Sequence, residues 1–160
     1  MCLEIKNIKT KRLLLRDWHM TDLDDLYKFA SVPGVGEGAG WVHHKTLEDS
    51  KEFLEMLIRF KTVFCIELDG RAIGSFDFSW DKYKKNFISI GYSMAKDCWG
   101  NGYMTEAANA ILNYFRENYG VHKFCARTFP NNFRSQKLLE RLGFKFVSSD
   151  DEENYYELLK

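Results

Sequence analysis

Gly100, Asn101 and Gly102 stand directly ahead of a segment whose apolar residues repeat with a helical period, and those types in that order suit the holding of an anion. Met104, Ala107, Ala108, Ile111, Leu112 and Phe115 fall at i, i+3, i+4, i+7, i+8 and i+11, which predicts a helix from Tyr103 with one buried face. The first turn of such a helix offers unpaired N–H groups and the positive end of its dipole, and glycines let a phosphate approach the backbone closely. Two common phosphate loops are excluded by spacing. A dinucleotide fingerprint needs a third glycine where Thr105 stands, and a P-loop needs Gly-Lys-Ser/Thr. Gly91-Tyr92-Ser93-Met94-Ala95 has the outline of a hydrolase nucleophile elbow, but a loop follows it where that motif requires a helix.

Other reactive side chains form no familiar constellation. His122 and Cys125, three apart on a predicted strand, point to opposite faces, which rules out a thiol–imidazole pair. Cys2, Cys65, Cys98 and Cys125 are scattered without a C-x-x-C, so neither a metal site nor a disulfide framework is expected. Lys plus Arg and Asp plus Glu each number 23, a balance that argues against a nucleic-acid or anionic-membrane partner. No apolar run approaches the roughly 20 residues of a membrane span and no signal-peptide h-region is present, so a cytoplasmic protein is expected.

The 160 residues suit a single domain, 1–160, and 45% hydrophobic content is enough for a full core. The run KRLLLRDW (11–18) reads as the first strand. Thr21 with Asp24, and Thr46 with Asp49, read as the capped starts of two helices, the first ending before Pro33. Between them PGVGEGAGW (33–41) is predicted to be a mobile loop. Asp69-Gly70 is the favoured two-residue turn of a hairpin joining 62–68 to 72–80. A fourth strand (87–94) precedes the Tyr103 helix, which stops at Gly120; then come a strand at 121–128, a helix capped by Asn132 and stopped by Gly143, and strands at 144–149 and 155–159. The order is βααβββαβαββ, an α/β single-domain mixed sheet. Its fourth and fifth strands lie parallel, because the Tyr103 helix crosses between them. Gly91 inside a strand pattern predicts a bulge or a close approach, and a bulge would splay those two strands and leave backbone groups free for an extended amide ligand.

The combination GYSM, WGNGYMTEA and PNNFRSQKLLERLGF, with KRLLLRDW and GWVHH before it, resembles the Gcn5-related N-acetyltransferase (GNAT) superfamily, specifically the subgroup of ribosomal-protein N-terminal acetyltransferases. The resemblance runs through essentially the whole chain. It implies that acetyl-CoA is the co-substrate, with its pantetheine along Tyr92, Ser93 and Met94 and its pyrophosphate on Trp99, Gly100, Asn101, Gly102, Tyr103, Met104 and Thr105. Asn132 and Ser135 match an Asn-x-x-Ser that reaches the pantetheine near the thiol; Asn132 also reads as a plain N-cap. The chain departs from the pattern at four positions: Asp97 and Trp99 replace basic or polar residues of the phosphate signature, Leu139 stands where many relatives carry a tyrosine that protonates the leaving thiolate, and Ser89 stands where many carry a glutamate.

The implied reaction moves an acetyl group to a primary amine by direct transfer in a ternary complex. The amine must first lose a proton, and Asp77, Glu37, His43 and His44 are the candidate bases, Asp77 foremost. The backbone N–H of Met94 is the expected oxyanion donor, and Ser135 the group that meets the thiolate. The acceptor is open between a protein N-terminal amine and a small amine such as an amino acid, polyamine or antibiotic; a non-catalytic CoA-binding sensor is the third reading, and either a monomer or a homodimer fits.

Overall fold

A computed structural model describes residues 1–160. Two strands open the chain, β1 (Ile8–Lys9) and β2 (Leu13–Arg16), and three helices follow: α1 (Leu23–Ala30), α2 (Val35–Ala39) and α3 (Leu47–Phe60). Then come β3 (Val63–Leu68), β4 (Arg71–Trp80), β5 (Ile88–Met94), α4 (Tyr103–Tyr119), β6 (Phe124–Thr128), α5 (Phe133–Arg141), β7 (Lys145–Ser149) and β8 (Asn154–Leu158). One eight-stranded sheet runs β1-β2-β3-β4-β5-β6-β8-β7. All its neighbours are antiparallel except β5 and β6, the fourth and fifth strands of the sequence reading. The expected mixed sheet and crossover helix are therefore present, with β1 and α2 added.

The local signals mostly act as their chemistry dictates. Thr46 Oγ1 accepts the N–H of Asp49 and starts α3, and Asp69 and Gly70 both take positive φ in the β3–β4 turn. Every apolar residue assigned to the inner face of α4 is buried. Tyr114 and Phe115 on that helix meet Phe64 and Phe78 of the sheet with ring centroids 6.2 and 4.9 Å apart. Full burial of side chains of this size stabilises by about 1.5–3 kcal/mol each.

Three expectations are corrected. Thr21 does not cap α1. Asp22 is drawn inward instead, where its carboxylate accepts both Arg16 Nη1 and Nη2 at 2.8 Å and the His19 N–H at 2.8 Å, so a 3-10 turn over Met20–Asp22 precedes the helix. The same guanidinium reaches Glu67 on β3, tying β2, α1 and β3 together inside the protein. The glycine-rich stretch is not a plain loop: α2 forms within it, between Gly34 and Gly40 in left-handed conformations, with Val35 and Gly36 buried. Tertiary packing outweighs the poor helix propensity of glycine here, because Gly36 lies under Trp41 where no larger residue fits. Finally, β5 carries no bulge at Gly91. The β4–β5 register runs unbroken from Gly74↔Met94 to Trp80↔Ile88. The splay exists all the same, since pairing of β5 with β6 stops after Ile90↔Ala126.

A methyl group on Gly36 would sit 2.2 Å from a Trp41 ring atom and 2.7 Å from the Trp41 carbonyl oxygen. Gly36→Ala is therefore expected to displace α2 and cost about 1–3 kcal/mol, read as a lowered midpoint in thermal or urea unfolding; an unchanged midpoint would show that α2 is free to shift.

Candidate active site

The gap between β5 and β6 sets the geometry of the site. Ala95 donates its N–H to Ile73 on β4, and Ile88 donates its N–H to Lys123 on the other side. Peptide groups alternate along an antiparallel strand, so those of Tyr92 and Met94 turn away from β4, toward the side where β6 has already diverged. The Met94 carbonyl takes the Trp99 indole N–H at 2.9 Å, which folds the following loop back against the strand end.

Two cavities meet there. The larger, about 290 Å3, runs from Tyr92, Ser93 and Met94 past Trp99, Gly100 and Gly102 to Tyr103, Met104 and Thr105, and is closed by Asn132, Ser135 and Leu138. Every residue assigned from sequence to the co-substrate lines it except Asn101, whose amide donates to the carbonyls of Cys98 and Trp99 and whose own carbonyl accepts from Arg12. Asn101 shapes the loop from outside. Gly100 and Gly102 have φ of 81° and 78°, a left-handed conformation that side chains resist, and α4 starts directly after them with its N–H groups facing the cavity.

Arg134 and Arg141 of α5 also line this cavity, and no carboxylate does. Nothing in the sequence singled them out, because a basic residue on an amphipathic helix ordinarily belongs to its solvated face; their spacing of seven, two turns apart on one side, was the available signal. Arg134 lies over the Trp99 ring, and burial lowers its pKa. Asp97, the acidic departure in the loop, is bound through both oxygens to Arg71 at 3.0 and 3.1 Å and stays outside the cavity, so its charge is compensated. A basic, glycine-lined cleft at a helix N-terminus with open strand amides fits the pyrophosphate and pantetheine of a coenzyme A ester.

The smaller cavity, about 130 Å3, occupies the gap itself, between Ile90, Gly91 and Tyr92 on one wall and Ala126 to Phe129 on the other. Gly38, Ala39, Tyr92 and Ser135 belong to both cavities. At this junction the Tyr92 hydroxyl and Ser135 Oγ are 2.7 Å apart. Tyr92 stacks on Phe76 of β4, and burial pushes its phenol up to about 12, so it stays neutral. Asn132 caps α5 by accepting the Ser135 N–H, and its Nδ2 also donates to the Gly38 carbonyl, joining α5 to α2. It is both the cap and a lining residue. Leu139 is fully buried, so the missing helix tyrosine has no substitute at its own position.

The candidate bases separate clearly. Glu37 holds His43 Nδ1 at 2.6 Å, an arrangement that draws Glu37 down to about 2. His44 is bonded to Ser50 and its pKa is lowered by burial. None of these lines either cavity. Cys125 lies beside Asp81, not His122, with its thiol raised to about 11 by burial. Asp77 differs. It sits opposite Gly91, where a Cβ would come within 2.6 Å of both its carboxylate oxygens, and it makes no ion pair. Close approach, the other reason given for a glycine in this strand, is the one realised. The residue keeps an open side to solvent, yet the carboxyl packed on β5 is pushed up to about 6 by desolvation. It borders the smaller cavity through Gly91 without lining it.

The profile of the acetyltransferase (GNAT) domain matches residues 12–145. The chain belongs to this family. It is an N-acetyltransferase, in keeping with its similarity to an uncharacterized N-acetyltransferase, p20, from Bacillus licheniformis, 23% identical over 88% of this chain and 83% of that one. A solved GNAT-family acetyltransferase from Bacillus anthracis is 26% identical, superposes with a TM-score of 0.82, and is matched over 96% of this chain and 98% of its own. Over 56 residues, 35% of this chain and 29% of the relative, the sequence is 39% identical to the ribosomal protein uS5 alanine N-acetyltransferase of Escherichia coli.

The raised pKa of Asp77 carries a stability signature. An aspartate near 3.9 when unfolded and about 6 when folded leaves the native state binding more protons between those values, so its contribution to stability falls as pH rises through that window. Asp77→Asn is expected to melt higher than the parent at pH 8, with the difference shrinking toward zero near pH ~4. A difference independent of pH would show that the carboxyl is not desolvated.

Proposed function

We propose that the protein transfers an acetyl group from acetyl-CoA to a primary amine, directly, within a ternary complex. The observation that carries this reading is the meeting of two cavities at Tyr92 and Ser135, one basic and glycine-lined, the other small and set between the strands. The larger accommodates the co-substrate, with pantetheine amides against the peptide groups of Tyr92 to Met94, pyrophosphate against the loop from Trp99 and the first turn of α4, and Arg134 and Arg141 supplying positive charge. The smaller receives the acceptor amine.

Asp77 is the general base. A carboxylate at about 6 is ionised at neutral pH and still basic enough to matter, and it acts through water across Gly91 because it does not itself line the cavity. The Met94 N–H faces the oxygen that becomes negative as the amine attacks the acetyl carbon. When that carbon–sulfur bond breaks, Ser135 hydrogen-bonds the departing thiolate, held in place by the Tyr92 hydroxyl. Tyr92 thus supports from the strand what relatives place on the helix.

The acceptor includes protein N-terminal amines. An α-amine has a pKa near 8, against roughly 10 for a lysine, and needs less help from a base reached through water. The stretch similar to the uS5 alanine N-acetyltransferase supports the same reading.

Isothermal titration with acetyl-CoA tests the donor site: binding in the micromolar range is expected, and its absence at high micromolar ligand would sink the assignment. Gly102→Val forces a branched side chain into a left-handed position and should abolish binding while the fold survives. In steady-state kinetics with an amine acceptor, Asp77→Asn should lower kcat by about 10²–10⁴-fold and remove the acid limb near pH 6. Ser135→Ala should lower kcat by a larger factor than it weakens acetyl-CoA binding. A parent protein that binds acetyl-CoA and acetylates no amine would be a sensor.

A further inference from the structure

The two borders of the sheet are β1 and β7, and they are built differently. β1 is only Ile8–Lys9, and Lys6, Lys9 and Lys11 in and around it make that border positive. Shortness and lysines are the usual protection of an edge against pairing with another chain. β7 has less of it. Its residues, Lys145–Ser149, are all exposed, include one charge and no proline, and carry Phe146 and Val147 in the middle at 56% and 48% exposure.

Phe146 pairs with Tyr156 of β8 and meets its ring edge-on, with centroids 5.7 Å apart, so the two lie on one face of the sheet. Tyr156 belongs to the core, whereas Phe146, one strand further out, is left uncovered. Val147 has no opposite residue on β8, because the register shifts between Phe146 and Ser148. Apart from the ladder to β8, no backbone hydrogen bond of the protein involves residues 145–149, so the groups on the outer side of β7 are open. Open groups and an uncovered aromatic ring together mark a surface that another strand can complete.

Charge decides which strand. Lys145 stands at the start of β7, and Asp150, Asp151 and Glu152 follow its end. Asp150 is occupied in closing the turn, where it accepts the N–H groups of Glu152 and Glu153. Lys145, Asp151 and Glu152 form no ion pair within the chain. A strand positive at one end and negative at the other is complementary to a reversed copy of itself. Two β7 strands laid antiparallel about a two-fold axis at Val147 set Lys145 of each copy opposite Ser149 of the other, next to the acidic turn, and gather Phe146 and Val147 of both at the centre. Such a contact uses the same surface on both copies and closes after two, so it does not grow into a fibre.

We propose that β7 is a homodimer interface, in which two copies pair antiparallel, cover Phe146 and Val147, and bring Lys145 of each to Asp151 and Glu152 of the other. The pairing stands apart from the acetyl-transfer chemistry and needs none of the residues assigned to it.

Sedimentation of the full chain tests the pairing, with circular dichroism to confirm that each variant folds. The parent is expected to dimerise in the micromolar range, in keeping with a small contact. Lys145→Glu alone, and Asp151→Lys with Glu152→Lys in a second variant, should each weaken the dimer about tenfold or more by setting like charges against each other twice. An equimolar mixture of these two variants should associate again, because both contacts then join opposite charges, and so should a chain carrying all three substitutions. Phe146→Asn should weaken the dimer without being rescued by either charge variant. A parent that stays monomeric at about 100 µM would overturn the proposal and leave the edge to a different protein. A dimer that none of these substitutions weakens would place the contact on another surface, and weakened variants that the mixture does not restore would overturn the antiparallel register.

Discussion

The early end of the parallel ladder between β5 and β6 is the constraint on which the rest depends. Only three residue pairs join these strands before they part. In a complete ladder the peptide groups of Tyr92 and Met94 would be satisfied by β6, the smaller cavity would vanish, and the N-terminus of α4 would face a closed sheet. Unpaired backbone groups in a protein interior are costly, so the gap is stable only where something else holds its walls apart. Here β4 holds β5 along its whole length, β8 holds β6 as far as Thr128, and α5 spans the top, bonded to β5 through Tyr92 and Ser135 and to α2 through Asn132.

Electrostatics around the gap follow one pattern: most acids near the site are bound to basic partners. Glu106 is taken by Arg12, Asp97 by Arg71, Glu37 by His43, and Asp81 with Glu153 by Arg127. What remains is a basic pair, Arg134 and Arg141, along the larger cavity, and an excess of negative charge at the smaller, from Asp77 without an ion pair and from Asp81 and Glu153 sharing the single Arg127. A chain with no formal net charge thereby presents positive charge along the larger cavity and negative charge beside the smaller.

Much of this arrangement is readable in the sequence because it is local. The glycine pair, the periodicity of α4, the Asn132 cap and the Asp69-Gly70 turn each depend on residues within a few positions of one another. The misses have a common cause. α2 forms because Trp41 covers Gly36, Thr21 loses its capping role because Arg16 draws in Asp22, and Gly91 is needed for the Asp77 carboxylate rather than for a bulge. Arg134 and Arg141 look in sequence like surface cations. Their roles depend on a cavity made by segments far apart in the chain.

The outer boundary of the sheet shows how the gap differs from an ordinary strand border. A flat terminal strand is a template for unwanted growth; in β7 the register against β8 shifts between Phe146 and Ser148, a break in regular pairing on a strand that exposes Phe146 and Val147. A sheet normally has two borders, but this one has a second pair inside, where β5 and β6 face each other across the gap. Those inner borders keep their unpaired groups without inviting polymerisation, because the space between them is too narrow for a second folded chain and is roofed by α5. The molecule thus keeps open backbone groups inside the sheet, where small ligands reach them, and not only along its outer strands.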